Sequence, residues 1–330
     1  MKKVMYVVVM LLTVFSIPAH ALIGKADYVD PDKVNPYDFY VMCKEGSAQK
    51  ISEALAKGAD VNAKVFVNKY EQDVTPLMAA ARDNSVEAVN VLIKAGADVN
   101  ARRKDGISAL GLAAAFNTPD VVEALLKAGA KNKEAPLVQF NNLSAKNVAV
   151  LLKYGTNPNV RLGANGLTAL MSVLNAANSS NERNTVETAK MLINAGADIN
   201  AKSSGGYTAL WFAARRSLVE IVKLLIKNGA DVNASAESVT VLDTSAMYST
   251  PETVKILIDS GADVNGNDSM TPLMLAMLNS SYPEEMINIF LDAGADVNAV
   301  YDKKRAVDYA RKRKVLQGTS ALKRLEAASR

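Results

Sequence analysis

Aspartates recur along this 330-residue chain, among them Asp98, Asp198, Asp231, Asp263 and Asp296. Carboxylates placed in pairs can act as general acid and general base. Each of these five, however, sits in the same short phrase, Gly-Ala-Asp-Val-Asn or Gly-Ala-Asp-Ile-Asn. Their recurrence marks a structural turn, and there is no nonrepeating acidic cluster to support an enzyme that uses carboxylates alone. Other reactive groups are scarce. The one histidine, His20, falls in an N-terminal segment expected to be removed, which excludes Ser-His-Asp, Cys-His and histidine-ligated metal sites from the mature chain. Cys43 is the only cysteine, so no intramolecular disulfide and no CxxC motif can form. Beside Val41 and Met42 it reads as a small buried apolar side chain. Asp30 and Asp32 alternate like the start of a calcium loop, but Val34, Asn35 and Val41 occupy the third-ligand, glycine and glutamate places. No glycine loop could cradle a phosphate. The expectation is a non-enzyme with no catalytic residue, no cofactor and no metal.

The elements that carry the phrase explain its spacing. The glycines that open it, some in decayed copies, are Gly58, Gly96, Gly129, Gly155, Gly196, Gly229, Gly261 and Gly294, at intervals of 38, 33, 26, 41, 33, 32 and 33 residues. A period of about 34 residues with two helix-like runs per unit belongs to a stacked solenoid. In "VEIVKLLIKNG", Ile221, Val222, Leu224 and Leu225 fall at helical spacing, and Gly229 stands where that helix must stop. Asp231 and Asn233 suit the following turn. Thr75-Pro76-Leu77, Thr168-Ala169-Leu170, Thr208-Ala209-Leu210 and Thr271-Pro272-Leu273 then open a short helix, the threonine capping free amides and the proline tolerated at the first position. Thr118-Pro119 and Thr250-Pro251 give the same start signal to second helices.

These residues resemble the ankyrin repeat family, here of an exported bacterial type, whose pattern joins a Thr-Pro-Leu-His-x-Ala-Ala helix, an Ile-Val-x-Leu-Leu helix and a Gly-Ala-Asp-Val-Asn turn. The match runs from about Pro36 to the end, and "YTALWFAARRSLVEIVKLLIKNGADVNA" at 207–234 follows it closely. The resemblance implies an all-α solenoid of stacked helix-turn-helix units with short hairpin fingers, about eight units plus a C-terminal capping unit. The histidine place holds Met78, Gly111, Met171, Trp211, Asp243, Met274 and Asp308, so the hydrogen bonds the family makes there must be absent or supplied differently. Trp211 reads as a partly packed structural residue. The turn after Gly129, "AKNKEA", is too short for a finger, and "NAANSSNERN" at 175–184 inserts residues between two helices. Together they predict an interruption of the stack near the middle, with a change of curvature.

The ends differ in kind from the middle. "MKKVMYVVVMLLTVFSIPAHA" orders two lysines, an apolar run and an Ala-x-Ala site as a cleaved signal peptide does, and the run is short for a membrane span. The expected organisation is a signal peptide at 1–21, a flexible acidic leader at 22–35, a repeat array at 36–300 and a basic capping repeat at 301–330. That last segment carries ten Lys or Arg and three Asp or Glu, a net of +7, against a net of −5 over 22–300. A solvated cap is the favoured reading of the basic end.

The family commonly binds another protein through the concave surface formed by finger tips and first helices. Carried onto this chain, the partner-binding positions are Arg102, Lys104, Asp105, Ile107 and Phe116 in one unit and Lys202, Ser204, Tyr207, Arg215 and Arg216 in another. Tyr and Arg are enriched at binding hot spots, and Ile107 and Phe116 are expected to be exposed. The leading expectation is a periplasmic or secreted monomeric scaffold for an unidentified protein, with no nucleic-acid partner and no transmembrane anchor. The alternatives are a periplasmic inhibitor or immunity protein and a secreted, host-directed effector.

Overall fold

The computed structural model describes residues 34–139, 143–162, 164–178, 180–266, 270–279 and 281–329. The expected signal peptide, Asp30, Asp32 and nearly all of the expected leader lie outside the described residues. The chain divides into two compact units, Met1–Lys131 and Asn132–Arg330. That boundary falls inside the shortened turn after Gly129.

Among the described residues, the first unit holds three helix pairs: Pro36–Glu45 with Ala48–Ala56, Pro76–Asp83 with Val86–Lys94, and Ala109–Phe116 with Pro119–Lys127. The second unit holds six. Their first helices are Ala135–Gln139, Ala169–Asn175, Ala209–Arg215, Val241–Tyr248, Pro272–Ala276 and Ala306–Ala310. The matching second helices are Ala145–Lys153, Glu182–Asn194, Val219–Lys227, Pro251–Asp259, Pro283–Asp292 and Ser320–Ala328. Within each unit, first helices pack on first helices and second helices on second, giving two helical layers. Strand pairing is confined, among the described residues, to finger hairpins such as Arg161–Leu162 against Leu167–Thr168 and Ser235–Ala236 against Val239–Thr240. The fold is an all-α repeat solenoid, with eight pairs and a ninth at the C-terminus.

Local chemistry explains why each element starts and stops. Thr75, Thr168, Thr208 and Thr271 each accept, at 3.3 Å, the amide three residues on. Thr118 and Thr250 depart from the expectation: each precedes a helix-opening proline, but neither side chain makes a capping bond. The Thr250 hydroxyl turns instead to the Thr253 hydroxyl at 3.2 Å. All eight phrase glycines adopt positive φ, between 75° and 92°. A Cβ at Gly229 would meet nothing within 4 Å, so the left-handed backbone, not space, demands glycine there. The Gly229 amide reaches Ile226 O and the Ala230 amide reaches Leu225 O, which closes the helix end with the paired bonds of a Schellman turn. The core recurs with the same period. Leu77, Leu110, Leu170, Leu210 and Leu273 are buried in the first-helix layer, and Leu92, Leu125, Leu151, Leu192, Leu225 and Leu257 in the second. Each such leucine contributes about 1.5–3 kcal/mol of burial.

The insertion at 175–184 resolves differently from an interrupting loop. Its end is absorbed into Glu182–Asn194, a second helix of 13 residues where Val219–Lys227 has nine. The Asn184 amide group donates to Leu143 O at 2.8 Å and accepts from Ala145 N at 2.8 Å, so the added turn is tied to the preceding pair. Helix packing continues on both sides of it within the second unit.

Candidate protein-binding surface

The recurrent acidic turns are structural in detail. In each, the aspartate carboxylate accepts the amide two residues on, as Asp231 does from Asn233 at 3.0 Å. The asparagine then reaches into the next repeat. Asn200 Nδ2 donates to Gly229 O at 2.9 Å while its Oδ1 accepts from Asp231 N at 2.9 Å, and Asn233 binds Gly261 O and Asp263 N in the same way. Asn62, Asn100 and Asn159 repeat the bridge. A second ladder runs along the first-helix ends. Asn84 donates to Cys43 O and Gly46 O, Asn117 to Ala81 O and Asn84 O, and Asn279 to Ala246 O and Ser249 O. These repeated polar groups are occupied in holding the stack, which leaves the fingers and the exposed ends of first helices as the variable surface.

In the first unit, that surface is closed on itself. Glu71 Oε1 accepts from Arg82 Nη1 at 2.8 Å and Arg103 Nη1 at 3.2 Å, and Arg103 also pairs with Asp105. The Arg103 guanidinium beside it holds the Asp105 carboxyl below the usual carboxylate range. Asp105 also accepts the Ile107 amide at 3.2 Å. Arg102 donates to Gly106 O at 3.2 Å within its own finger, and Lys104 reaches Gln72 of the preceding finger at 3.1 Å. Phe116 is half exposed with the Arg82 guanidinium 5.2 Å over its ring. Ile107 is partly buried where exposure was expected, its backbone carbonyl accepting from Arg103 N across the finger at 2.9 Å.

In the second unit, Tyr207, Trp211 and Phe212 form a tilted aromatic cluster, with the Tyr207 and Trp211 rings 4.4 Å apart. Arg215 lies 5.4 Å over Trp211 and 5.7 Å over Tyr248. Beside them opens a cleft of about 420 Å³, lined on the finger side by Asn165, Ser203 and Ser204 and on the helix side by Trp211 and Arg215. Ser204 joins its finger to the preceding one, its amide reaching Asn165 O and its hydroxyl Ala164 O, each at 3.0 Å. Arg216 donates to Asn175 O at 2.7 Å, and the backbone carbonyl of Lys202 accepts from Arg161 while its side chain stays exposed. Of the ten sequence-derived positions, the cleft therefore brings together Ser204, Tyr207 and Arg215. Trp211 is partly buried, and its indole N–H has no hydrogen-bond partner.

Several residues at these sites were not singled out by sequence. Arg103 sits between the expected Arg102 and Lys104, and hairpin alternation turns it inward onto Glu71. Tyr248 lies in the next helix pair, eight residues past its capping Thr240, as Phe116 lies eight past Ser108; that shared offset was a usable signal. In the first unit's longest finger, Phe66 and Tyr70 project, 60% and 72% exposed. The vacant histidine place is partly refilled. Asp243 accepts the Thr240 amide at 2.8 Å and its hydroxyl at 2.7 Å, and Asp308 accepts the Arg305 amide at 2.8 Å. Cys43 is buried, as expected, and burial pushes its thiol up to about 12.

A family model described as ankyrin repeats matches residues 39–135, 137–236 and 235–301. The chain belongs to the ankyrin repeat family. Similar proteins include a putative ankyrin repeat protein of Rickettsia bellii, 26% identical over 54% of this chain and 24% of that protein. A putative ankyrin repeat protein of fowlpox virus is 30% identical over 41% of each chain. Ankyrin repeat and SOCS box protein 5 of Oryctolagus cuniculus is 36% identical over 30% of this chain and 28% of that protein. The matches thus span from about a quarter to two-fifths of these relatives. Ankyrin repeats generally serve as protein–protein interaction scaffolds without enzymatic activity. Among the described residues, no helix is long and apolar enough to cross a membrane.

Proposed function

We propose that this ankyrin repeat chain is an exported, non-enzymatic scaffold that binds a partner protein through its fingers and exposed first-helix ends, as a monomer and without nucleic acid. The observation that carries the reading is the division of labour in the repeat. The recurring Gly, Asp, Asn and Leu residues are consumed by turns, ladders and core. Phe116, Tyr248, Arg215 and Tyr207 lie outside that set and present aromatic and guanidinium groups on the surface, where such groups dominate binding energy. The N-terminal order of lysines, apolar run and Ala-x-Ala supports export to the periplasm or beyond.

Two measurements test this. N-terminal sequencing of the protein made in its source is expected to begin at Leu22; a chain that retains Met1 or Lys2 rejects export by this route. Affinity capture from the envelope fraction is then run with the mature protein and with a Phe116→Ala, Tyr207→Ala, Arg215→Ala variant of equal circular dichroism. A protein retained by the first bait and lost by the second supports the surface. Equal capture by both moves the partner to the second-helix layer or the basic C-terminal pair.

A further inference from the structure

We propose that the cleft beside Trp211 receives an acidic side chain of the partner, an aspartate or glutamate next to an apolar residue, with Arg215 as its counter-ion. This rests on the scaffold reading and names the chemistry that the partner brings. Among the described residues, Arg215 is the only charged one lining the cleft. It is exposed and has no hydrogen bond or ion pair among the described residues, yet two rings hold its guanidinium in place. A guanidinium that is already oriented loses less side-chain freedom on binding, and its planar fork matches a carboxylate. The other walls are neutral polar groups on the finger side and aromatic rings on the helix side, so nothing in the cleft repels an anion and the rings can cover an adjoining apolar group.

Comparison within the chain strengthens the assignment. Arg82 occupies the same position in its repeat, seven residues after the capping threonine, and is neutralised by Glu71, four residues before that threonine. Counted the same way in the cleft's repeat, whose finger is five residues shorter, the fourth residue before the threonine is Ser204, whose hydroxyl is turned to Ala164 O. The repeat thus holds an arginine without the carboxylate that accompanies it elsewhere. The partner would supply that carboxylate. Gly205 lets the Tyr207 ring lie against the finger, because a Cβ there would lie 2.8 Å from that ring.

The chain contains a single tryptophan, so Trp211 emission reports occupancy of the cleft directly. Short random peptides displayed on phage are selected on the purified protein, and each enriched sequence is synthesised with its Asp or Glu intact and as the Asn or Gln counterpart. The expected result is enrichment of peptides with an acid beside an apolar residue, a change in Trp211 emission on binding, and roughly tenfold weaker binding of the amide form. Arg215→Ala should weaken the acidic peptide by a similar factor and leave the amide form unaffected, with Arg215→Lys intermediate. Acid and amide forms that bind alike would overturn the proposed chemistry. Binding that leaves Trp211 emission unchanged, or no enrichment at all, would overturn the cleft as the site. In each of those cases a protein captured from the envelope by wild type and lost by the triple variant would still support the scaffold reading, so the two failures are separable.

Discussion

Arg82 in the first unit and Arg215 in the second close equivalent helices, and each leans on an aromatic ring of the following pair, Phe116 at 5.2 Å and Tyr248 at 5.7 Å. Their helix positions match while the fingers before them differ in length by five residues, and Arg82 shares Glu71 with Arg103 whereas Arg215 has no counter-ion among the described residues. One carboxylate on the finger decides whether the arginine ties the repeat to itself or faces outward. In a solenoid the frame is repeated and the surface is not, so function is to be sought where equivalent residues keep different company.

The largest effect is expected from removing the carboxylate that closes the first site. Glu71→Ala leaves Arg103, whose side chain is only 9% exposed, with Asp105 alone, and removes the bond to Arg82. A cost of about 2 kcal/mol is expected in urea unfolding, since a buried charged group that loses a partner is penalised by desolvation. Ser204→Ala, at the same count before its own capping threonine, removes one exposed hydroxyl bond and should cost less than about 1 kcal/mol. Equal losses would show that Glu71 does no more for its repeat than Ser204 does.

Next comes the exchange that should make the second site resemble the first. Ser204→Glu places a carboxylate where Arg215 can use it, and a satisfied Arg215 should bind an acidic peptide roughly tenfold more weakly, by competition for the same fork. Stability should change by less than about 1 kcal/mol, because an exposed pair contributes little. Undiminished peptide binding would show that the free guanidinium is not what the peptide reads.

Smaller effects of opposite sign are expected from two aspartates. Asp105 in the first unit is held low, first by its hydrogen bond to Arg103. Its contribution is therefore present above the ordinary aspartate value near 4 and lost as pH falls through its lower folded value. Asp243 in the second unit is pushed up by burial, partly offset by its bonds from Thr240, and its Oδ1 has no partner. Folding then favours its protonated form, so stability is lost as pH rises from the ordinary value through the raised one. Urea midpoints measured across the acid range should show Asp105→Asn flattening a loss toward low pH. Asp243→Asn should flatten a loss toward higher pH. Slopes unchanged by either substitution would contradict the assigned directions.

Most of the repeat was legible because its determinants are local. Gly229 reads as a helix stop from its place after Leu225, and the structure gives it φ of 85°. The caps at Thr75, Thr168, Thr208 and Thr271 are legible for the same reason, whereas the Thr-Pro pairs at Thr118 and Thr250 look alike in sequence and make no capping bond. In sequence the asparagines show only as turn formers, since their partners lie about 30 residues away and a single repeat does not reveal that Asn200 bonds Gly229 O. The inserted residues at 175–184 read as a loop because Asn178, Ser179, Ser180 and Asn181 are turn formers. Tertiary bonds from Asn184 draw the later part into a helix. At the surface, type and position singled out Arg215 and Tyr207, whereas their relation to Tyr248 depends on how adjacent pairs stack. The inward turn of Arg103 is not legible in sequence, because which face of a short finger turns inward depends on its register.

The smallest effect distinguishes contact from steering. Lys202 is exposed beside Ser203 and Ser204, and only its backbone carbonyl is used by Arg161. Lys202→Ala should leave stability within about 0.5 kcal/mol, as surface substitutions away from packed features do. An acidic peptide approaching Arg215 would still sense the lost charge, because charges at the rim of a site act mainly on association rate. Stopped-flow Trp211 emission should therefore show association slowed roughly twofold at low salt, the difference vanishing at high salt, with dissociation unchanged. A change in dissociation would place Lys202 in direct contact with the peptide, and the acid would then be shared between the finger and the helix instead of resting on Arg215 alone.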